Sequence, residues 1–412
     1  MQPGQLDREG LKETAADVQR AHRLGEAAER LRTSRRRRGI RGLVVSGVVA
    51  AVVATGVAVA LVLDDDDGQV RPSGVTDSPR VDVTAHPDQS PPRELISAGR
   101  VAVSAYYTTK SVKQPNGDAV GTYRWSLLDA ATGRYEKTGW AWLDVAPGMR
   151  TAAVLERGLP VDRIGLLDLT SGRIQRWIRA DRGVGSVQFS PDGKQLLATA
   201  YGLDPDGLFK DASYRLNDKT VPGPKQSRTG YYVIDVASGR TDFTERPYRK
   251  NAQRPLTAGG RQDFLWSRDG SLVWEPWSNK AGGIYYDVHG KEVPHPPKKA
   301  SLPYQGAVVS PDGNLVTGAF AGDGDQIVSE VLDVRTGKRA ALVPGQQLVA
   351  WADNDHVIAW RCDPDECSPG KGEFRNQLLL VSLDGKQTTP LSGFRKATLR
   401  YDGRWTPVFT RR

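Results

Sequence analysis

Side chains that could act as a nucleophile or a base are scarce in this chain of 412 residues. It has five histidines and two cysteines, and only His289, His295 and His356 lie beyond residue 95. The G-x-S-x-G, H-E-x-x-H and P-loop motifs are absent, so neither a histidine-activated nucleophile nor a zinc or nucleotide enzyme is expected. We predict no enzymatic activity. The alternative is a hydrolase or lyase that uses paired carboxylates, as glycosidases do.

Two acidic turns have oxygen ligands of the kind that calcium binds. They are residues 204–207 (Asp-Pro-Asp-Gly) and 323–325 (Asp-Gly-Asp). Neither completes the spaced ligand set, ending in glutamate, that an EF-hand loop needs. We interpret both as solvated turns and predict no metal and no cofactor.

Two short phrases alternate along the chain and define the elements that would carry a site. One is a tight turn of the Ser-Pro-Asp-Gly kind, in which proline fixes φ, aspartate caps the backbone and glycine supplies positive φ. The other is an apolar run that ends in Asp-x-x-(Ser/Thr)-Gly-(Arg/Lys), which turns one strand into the next. The tight turns begin at Ser190, Ser267 and Ser310, and an incomplete copy begins at Tyr401. The apolar runs end at Asp129, Asp168, Asp235, Asp287, Asp333 and Asp384.

A period of mostly forty-odd residues with short strands and two turns indicates radial repetition. Over residues 95–410 these phrases resemble the WD40 and PD40 (TolB-like) β-propeller repeats, without the Gly-His and Trp-Asp dipeptides of WD40. The resemblance implies an all-β propeller. The six turns that follow these apolar runs favour six blades, closed by pairing the strand at 405–409 into the first blade. Seven is the alternative, with Leu95 to Tyr107 as an extra strand pair.

If the tight turns join strands a and b of a blade and the second phrase joins c and d, the b–c and d–a connections share the opposite face. These are long and irregular, at residues 108–121, 202–229, 244–261, 293–305 and 362–376. Long loops on a rigid scaffold usually carry binding residues. We predict an interaction surface on this face, with Tyr214, Arg249, Lys250, Arg254, Trp274, Trp277, Lys298 and Tyr304 as candidate binding residues.

The amino-terminal part predicts a membrane anchor. Residues 42–63 are uncharged and apolar, long enough to cross a hydrocarbon layer of ~30 Å. Four arginines at 35–38 precede them and four aspartates at 64–67 follow, which places the amino terminus in the cytoplasm. A cleavable signal peptide is the alternative. The predicted parts are a cytoplasmic Arg-rich, helical tail (1–41), a transmembrane helix (42–63), a disordered Pro-rich linker (64–94) and an extracytoplasmic propeller (95–410).

Cys362 and Cys367 flank a four-residue acidic segment. In an oxidising exterior we expect them to form a local disulfide. The net charge of +9 is concentrated in the tail, where ten arginines and one lysine face six acidic residues. Because part of the basic charge therefore lies in the segment that sets the orientation in the membrane, we predict no nucleic-acid partner.

These patterns favour a single-pass membrane protein that presents its propeller outside the cell. It would serve as a binding or scaffolding module for a protein or a cell-surface polysaccharide. The alternatives are a transmembrane sensor that signals through the tail, and the carboxylate hydrolase or lyase.

Overall fold

The computed structural model describes residues 81–216, 219–247, 261–276, 283–295, 309–322, 326–361, 377–395 and 405–412. All regular structure in these ranges is β-strand. Within them no helix has the length and apolar character needed to cross a membrane; the predicted tail and the predicted span at 42–63 lie outside them. The strands are β1 (Val83–Thr84), β2 (Ser97–Ala98), β3 (Val101–Lys113), β4 (Ala119–Asp129), β5 (Arg134–Lys137), β6 (Trp142–Val145), β7 (Thr151–Leu155), β8 (Val161–Asp168), β9 (Arg173–Phe189), β10 (Gln195–Tyr201), β11 (Gly207–Leu216), β12 (Lys219–Pro224), β13 (Arg228–Asp235), β14 (Thr241–Glu245), β15 (Leu265–Trp266), β16 (Leu272–Glu275), β17 (Ile284–Asp287), β18 (Glu292–Val293), β19 (Leu315–Phe320), β20 (Val328–Asp333), β21 (Arg339–Pro344), β22 (Gln347–Trp351), β23 (His356–Arg361), β24 (Gln377–Ser382), β25 (Thr388–Pro390) and β26 (Trp405–Arg411).

The strands form a succession of small antiparallel units. In the first unit β26, β3, β4 and β5 pair in that order. The second unit runs from β6 to the start of β9, and the third runs from the end of β9 through β10, β13 and β14. Later units are β15–β18, β19–β21 and β22–β25. Consecutive antiparallel meanders of this kind are the β-propeller architecture that the repeats predict.

The tight turns at Ser190 and Ser267 join the first two strands of a unit, as expected, and the turn at Ser310 connects β19 to the bridged residue Val309. The Ser190 hydroxyl donates to Asp192 Oδ1 (2.7 Å) and accepts the Gln195 amide (2.9 Å), while Gly193 has φ of 73°. The turns at Ser267 and Ser310 repeat these contacts. The serine therefore connects both strands of the hairpin.

The second phrase also folds as predicted. Asp168 Oδ1 accepts the amides of Thr170 (2.7 Å) and Ser171 (3.0 Å), and Gly172 follows with φ of 67°. These backbone hydrogen bonds, that of Ser171 first, hold the pKa of Asp168 below its ordinary value. The aspartate is thus a turn-forming residue.

Turns of neighbouring units lie against one another. A Cβ on Gly270 would stand 2.8 Å from Pro191 Cδ of the preceding turn. Arg268 occupies the place that proline holds in the other two turns, and its Nη2 donates to the carbonyls of Ser310 (3.1 Å) and Pro311 (3.0 Å). The turn glycines therefore permit close approach between units as well as positive φ.

The carboxyl-terminal strand closes the structure, which confirms the predicted pairing. β26 runs antiparallel to β3, from Trp405 opposite Thr108 to Arg411 opposite Val101. The hydroxyls of Ser104 and Thr410 are 2.7 Å apart in this seam. Residues 95–107, the candidate extra strand pair, instead contribute β2 and most of β3 to the first unit.

Residues 81–94 belong to the folded domain, although the sequence interpretation placed them in the linker. β1 pairs with β2, the His86 amide donates to the Leu391 carbonyl (3.0 Å), and Trp405 Nε1 donates to Ser90 Oγ (3.1 Å). Three of the prolines that suggested an extended spacer, Pro87, Pro91 and Pro92, instead lie in a segment that packs across the first and last units. Residues 81–94 are therefore part of the fold and not of a disordered linker.

The core consists of apolar layers between neighbouring units. Leu197 and Tyr231 of the third unit pack with Trp266 and Tyr286 of the next. In another layer Trp360 and Leu378 of the last unit pack with Trp405 of the first. The ring is therefore closed by side-chain packing as well as by the β3–β26 pairing.

Candidate functional site

Two of the long b–c connections fold into one sheet instead of irregular loops. The connection in the first unit is an extension of the β3–β4 hairpin, and that in the third unit is the β11–β12 hairpin. They join because β4 pairs with β11, with Ala119 opposite Leu208 and Val120 opposite Gly207. We call residues 108–124, 207–216 and 219–224 the bridging sheet. It links the first and third units on the face where the sequence predicted an interaction surface.

Arg261 anchors the base of the bridging sheet. Its Nε and Nη2 donate to the two carboxylate oxygens of Asp206, each at 2.6 Å, and its Nη1 donates to the Gly185 carbonyl at 2.9 Å. The guanidinium lies 3.8 Å from the ring centre of Trp142 and 5.5 Å from that of Tyr123. A planar bidentate pair stacked on aromatic rings is a geometry that arginine forms and lysine does not.

The charge of this anchor is firmly held. Burial lowers the pKa of Arg261, but the carboxylates of Asp263 and Asp206 raise it by a larger amount. The net shift of the pKa is therefore upward. The Tyr201 hydroxyl donates to Asp263 Oδ1 (2.7 Å) and accepts the Gln262 amide (2.8 Å). Burial, and then the charge of Asp263, raise the pKa of Tyr201. At neutral pH the arginine is charged and the tyrosine neutral, which suits a structural anchor.

An aromatic cluster lies beneath the bridging sheet. The ring centres of Tyr107 and Trp125 are 4.7 Å apart, and those of Tyr123 and Trp142 are 5.2 Å apart. The second contact joins a strand of the first unit to a strand of the second. The bridging sheet therefore stands on a rigid base contributed by both units.

A cavity of about 430 Å³ runs the length of β26, from Thr406 to Arg411, and is lined by the innermost strands. Tyr107 and Trp142 line it together with Thr406. Asp144 is the one carboxylate among its described lining residues; it is buried and its Oδ2 accepts the Phe189 amide at 2.7 Å. Burial raises the pKa of Asp144 to about 7.

Of the predicted binding residues, the structure describes two. Tyr214 lies on β11 of the bridging sheet, opposite Val221. Trp274 lies in β16, and its ring stacks on Tyr285 with 6.1 Å between centres, so it packs within its own unit. The structure does not bring these two together by any described contact. The others lie outside the described residues, as does the predicted disulfide: Arg249, Lys250, Arg254, Trp277, Lys298, Tyr304, Cys362 and Cys367.

The acidic turn at residues 204–207 is a partner of arginine and not a solvated turn. Asp206 binds Arg261, and Asp204 Oδ1 accepts the Asp206 amide at 2.9 Å. Among the described residues no group of three or more potential metal ligands occurs. Sequence reasoning missed Arg261, Tyr123 and Trp142. Only their positions in the sequence could have pointed to them. Each lies in or next to a long connection, or at the end of a strand, on the face where we predicted the interaction surface.

Comparisons with known proteins give partial structural matches. TolB from Acinetobacter baumannii superposes with a TM-score of 0.36 and 16% sequence identity, over 73% of this chain and 65% of the TolB chain. The hydrazine synthase of Kuenenia stuttgartiensis superposes with a TM-score of 0.30 and 15% identity, over 70% of this chain and 83% of that chain. No family model and no curated protein matches the sequence. The chain thus spans less than two thirds of TolB.

Proposed function

We propose that this protein is a membrane-anchored β-propeller whose bridging sheet binds a macromolecular partner, a protein or a polysaccharide, outside the cell. The observation that carries the proposal is the pairing of β4 with β11, which joins insertions from two units into one rigid surface. Binding residues are commonly placed on insertions held by a stable scaffold. The Arg261 anchor supplies that support from below.

The form of the surface favours a macromolecule over a small molecule. The outer strand of the bridging sheet, β12, contains Pro222 and Pro224, and proline cannot donate a ladder hydrogen bond. That edge is protected from strand addition, and we propose that recognition uses the broad face of the sheet. A broad, mixed polar and apolar face is typical of macromolecular interfaces.

A six-bladed ring completes the proposal. Its support is the six turns that follow the apolar runs of the sequence, from Asp129 to Asp384, together with the closing strand β26. The polar tail and apolar span of the first 63 residues support a single-pass anchor with the amino terminus inside. We propose binding and not catalysis, because the sequence carries none of the catalytic motifs considered above.

Site-directed photo-crosslinking in the native cell tests the binding surface. A photoactivatable residue would replace Val112, which is 38% exposed on the bridging sheet, in the full-length chain. The matched control replaces Leu342, which is 40% exposed on β21. We expect a discrete adduct from position 112 and none from position 342. An adduct at both positions, or at neither, would contradict the proposal.

Protease treatment of intact cells tests the topology separately. A protease that cannot cross the membrane should remove the propeller and leave the tail protected. Protection of the propeller until the cells are lysed would reject the proposed orientation.

A further inference from the structure

Resting on the proposed function, we infer that the bridging sheet binds an acidic polypeptide segment that also carries apolar side chains. The segment docks on the face that presents Lys110, Val112, Arg124 and Phe209. This face combines exposed cations with aliphatic and aromatic side chains.

The strand register places these residues on one face. Val112 lies opposite Val120, Lys110 opposite Thr122, and Thr108 opposite Arg124; directly opposed residues share a face. Val120 lies opposite Gly207 on β11, and Phe209 follows two positions later, which returns it to the same face. The face is therefore continuous from β3 across β4 to β11.

The cations of this face are available to a partner. Lys110 and Arg124 are exposed, and neither side chain has a hydrogen bond or ion pair to a described residue. The carboxylates of the sheet that the structure describes, Asp118 and Asp211, are engaged. Asp118 Oδ1 accepts the Lys210 amide at 2.9 Å, and Asp211 pairs with Lys225 Nζ at 2.6 Å. Unpaired positive charge beside satisfied negative charge complements an acidic partner.

The apolar side chains favour a polypeptide over an anionic polysaccharide. Val112 is 38% exposed. It lies between the two cations and the turn that joins β3 to β4. Phe209 is half-buried under the Lys225 ammonium, 4.8 Å from its ring centre. A polyanion without apolar groups would gain nothing from covering Val112. A segment that mixes carboxylates with apolar side chains would bury it and pair with Lys110 and Arg124 at the same time.

Fluorescence anisotropy with three probes of equal negative charge tests the inference on the full-length chain in nanodiscs. The first is a peptide of glutamate mixed with valine and phenylalanine, the second has serine in place of those apolar residues, and the third is polyphosphate. We expect the mixed peptide to bind most tightly. Val112→Ser should weaken it a few-fold, and the Lys110→Glu/Arg124→Glu double variant should weaken it about tenfold or more.

The matched control is Lys291→Glu/Lys338→Glu, which changes the net charge equally at exposed turn residues of other units. This control should bind as the unmodified protein does. Equal loss in the control would reduce the effect to net charge and overturn the inference. If polyphosphate or the serine peptide bound as tightly as the mixed peptide, the site would recognise a polyanion and the inference would be overturned. The absence of binding by any probe would also overturn it. If none of the three probes binds but photo-crosslinking from position 112 still gives a discrete adduct, the proposed function stands and only this inference is rejected.

Discussion

At the scale of single residues, the turn glycines meet two physical demands that the sequence motif does not separate. Gly133 and Gly270 both have positive φ, of 67° and 73°. A Cβ on Gly133 would meet nothing within 4 Å, whereas one on Gly270 would stand 2.8 Å from Pro191 Cδ. A positive-φ turn glycine is therefore only a local requirement in the Asp129 turn, whereas in the Ser267 turn it is also a contact between units.

We expect Gly270→Ala to destabilise the domain more than Gly133→Ala. Both variants incur about 1–2 kcal/mol of strain from the left-handed backbone conformation. Gly270→Ala adds overpacking against the proline ring, worth about 1–3 kcal/mol. Urea unfolding of the two variants measures the difference. Equal losses would mean that the contact between turns contributes nothing.

Asp144 should make the free energy of unfolding fall as pH rises from about 4 to about 7. Its pKa is raised by burial from an ordinary value of 3.8 to about 7 in the folded state. In this range the folded protein binds a proton that the unfolded chain has released, so each step up in pH favours unfolding. Asp144→Asn keeps an acceptor for the Phe189 amide and cannot ionise. Thermal unfolding at pH 5 and pH 8 should therefore show a smaller loss for this variant, and an identical loss in both proteins would contradict the assignment.

At the scale of elements, the bridging sheet depends on a buried ion pair and also carries an exposed one. The side chains of Arg261 and Asp206 are 13% and 9% exposed, whereas those of Lys225 and Asp211 are 35% and 65% exposed. Removing Asp206 would take away both close carboxylate hydrogen bonds of the buried Arg261 charge and leave it with Asp263, whose Oδ2 lies 3.6 Å from Nη1. An exposed pair contributes little. The two pairs give a matched comparison within one sheet.

We expect Asp206→Asn to destabilise the domain by about 3 kcal/mol or more and to accelerate amide hydrogen exchange in β11 and β12. Asp211→Asn should change stability by less than about 1 kcal/mol and leave the exchange pattern intact. Exchange measured by mass spectrometry, together with urea unfolding, checks both results. Faster exchange in Asp211→Asn than in Asp206→Asn would show that the anchor lies elsewhere.

The sequence predicted the turns and strands well, because their causes are local. Each depends on a few adjacent residues, such as Asp168 to Gly172, whose hydrogen bonds span two or three positions. The bridging sheet could not be predicted in the same way, since Ala119 and Leu208 meet only in the folded ring. Residues 202–229 therefore resembled an irregular loop. Arg261 was also undetectable, because its role depends on Asp206 and Trp142 from separate units.

At the scale of the whole molecule, Trp405 connects both ends of the described chain to the last unit. Its ring centre is 4.9 Å from that of Trp360 and 5.7 Å from that of Tyr106, and its Nε1 donates to Ser90. The side chain is 2% exposed. The side-chain packing that closes the ring is thus centred on one buried residue.

Trp405→Ala should lower the free energy of unfolding by about 3–5 kcal/mol, because it leaves a large cavity in the closing layer. The control Phe320→Ala removes an aromatic ring that is 38% exposed and should cost less than about 1 kcal/mol. Calorimetry of both variants gives the comparison. A loss in Trp405→Ala as small as in the control would mean that the seam is held by its backbone ladder alone.

The seam between β3 and β26 also constrains the order of folding during biosynthesis. Ser104 and Thr410 are separated by 306 positions, so the first sheet lacks its inner strand until nearly the whole chain has been made. Contacts this distant along the chain form slowly, and an unpaired strand edge promotes aggregation in the meantime. We expect nascent chains that end before residue 405 to remain sensitive to proteases and to need chaperones. Protection should appear only once the last eight residues have emerged.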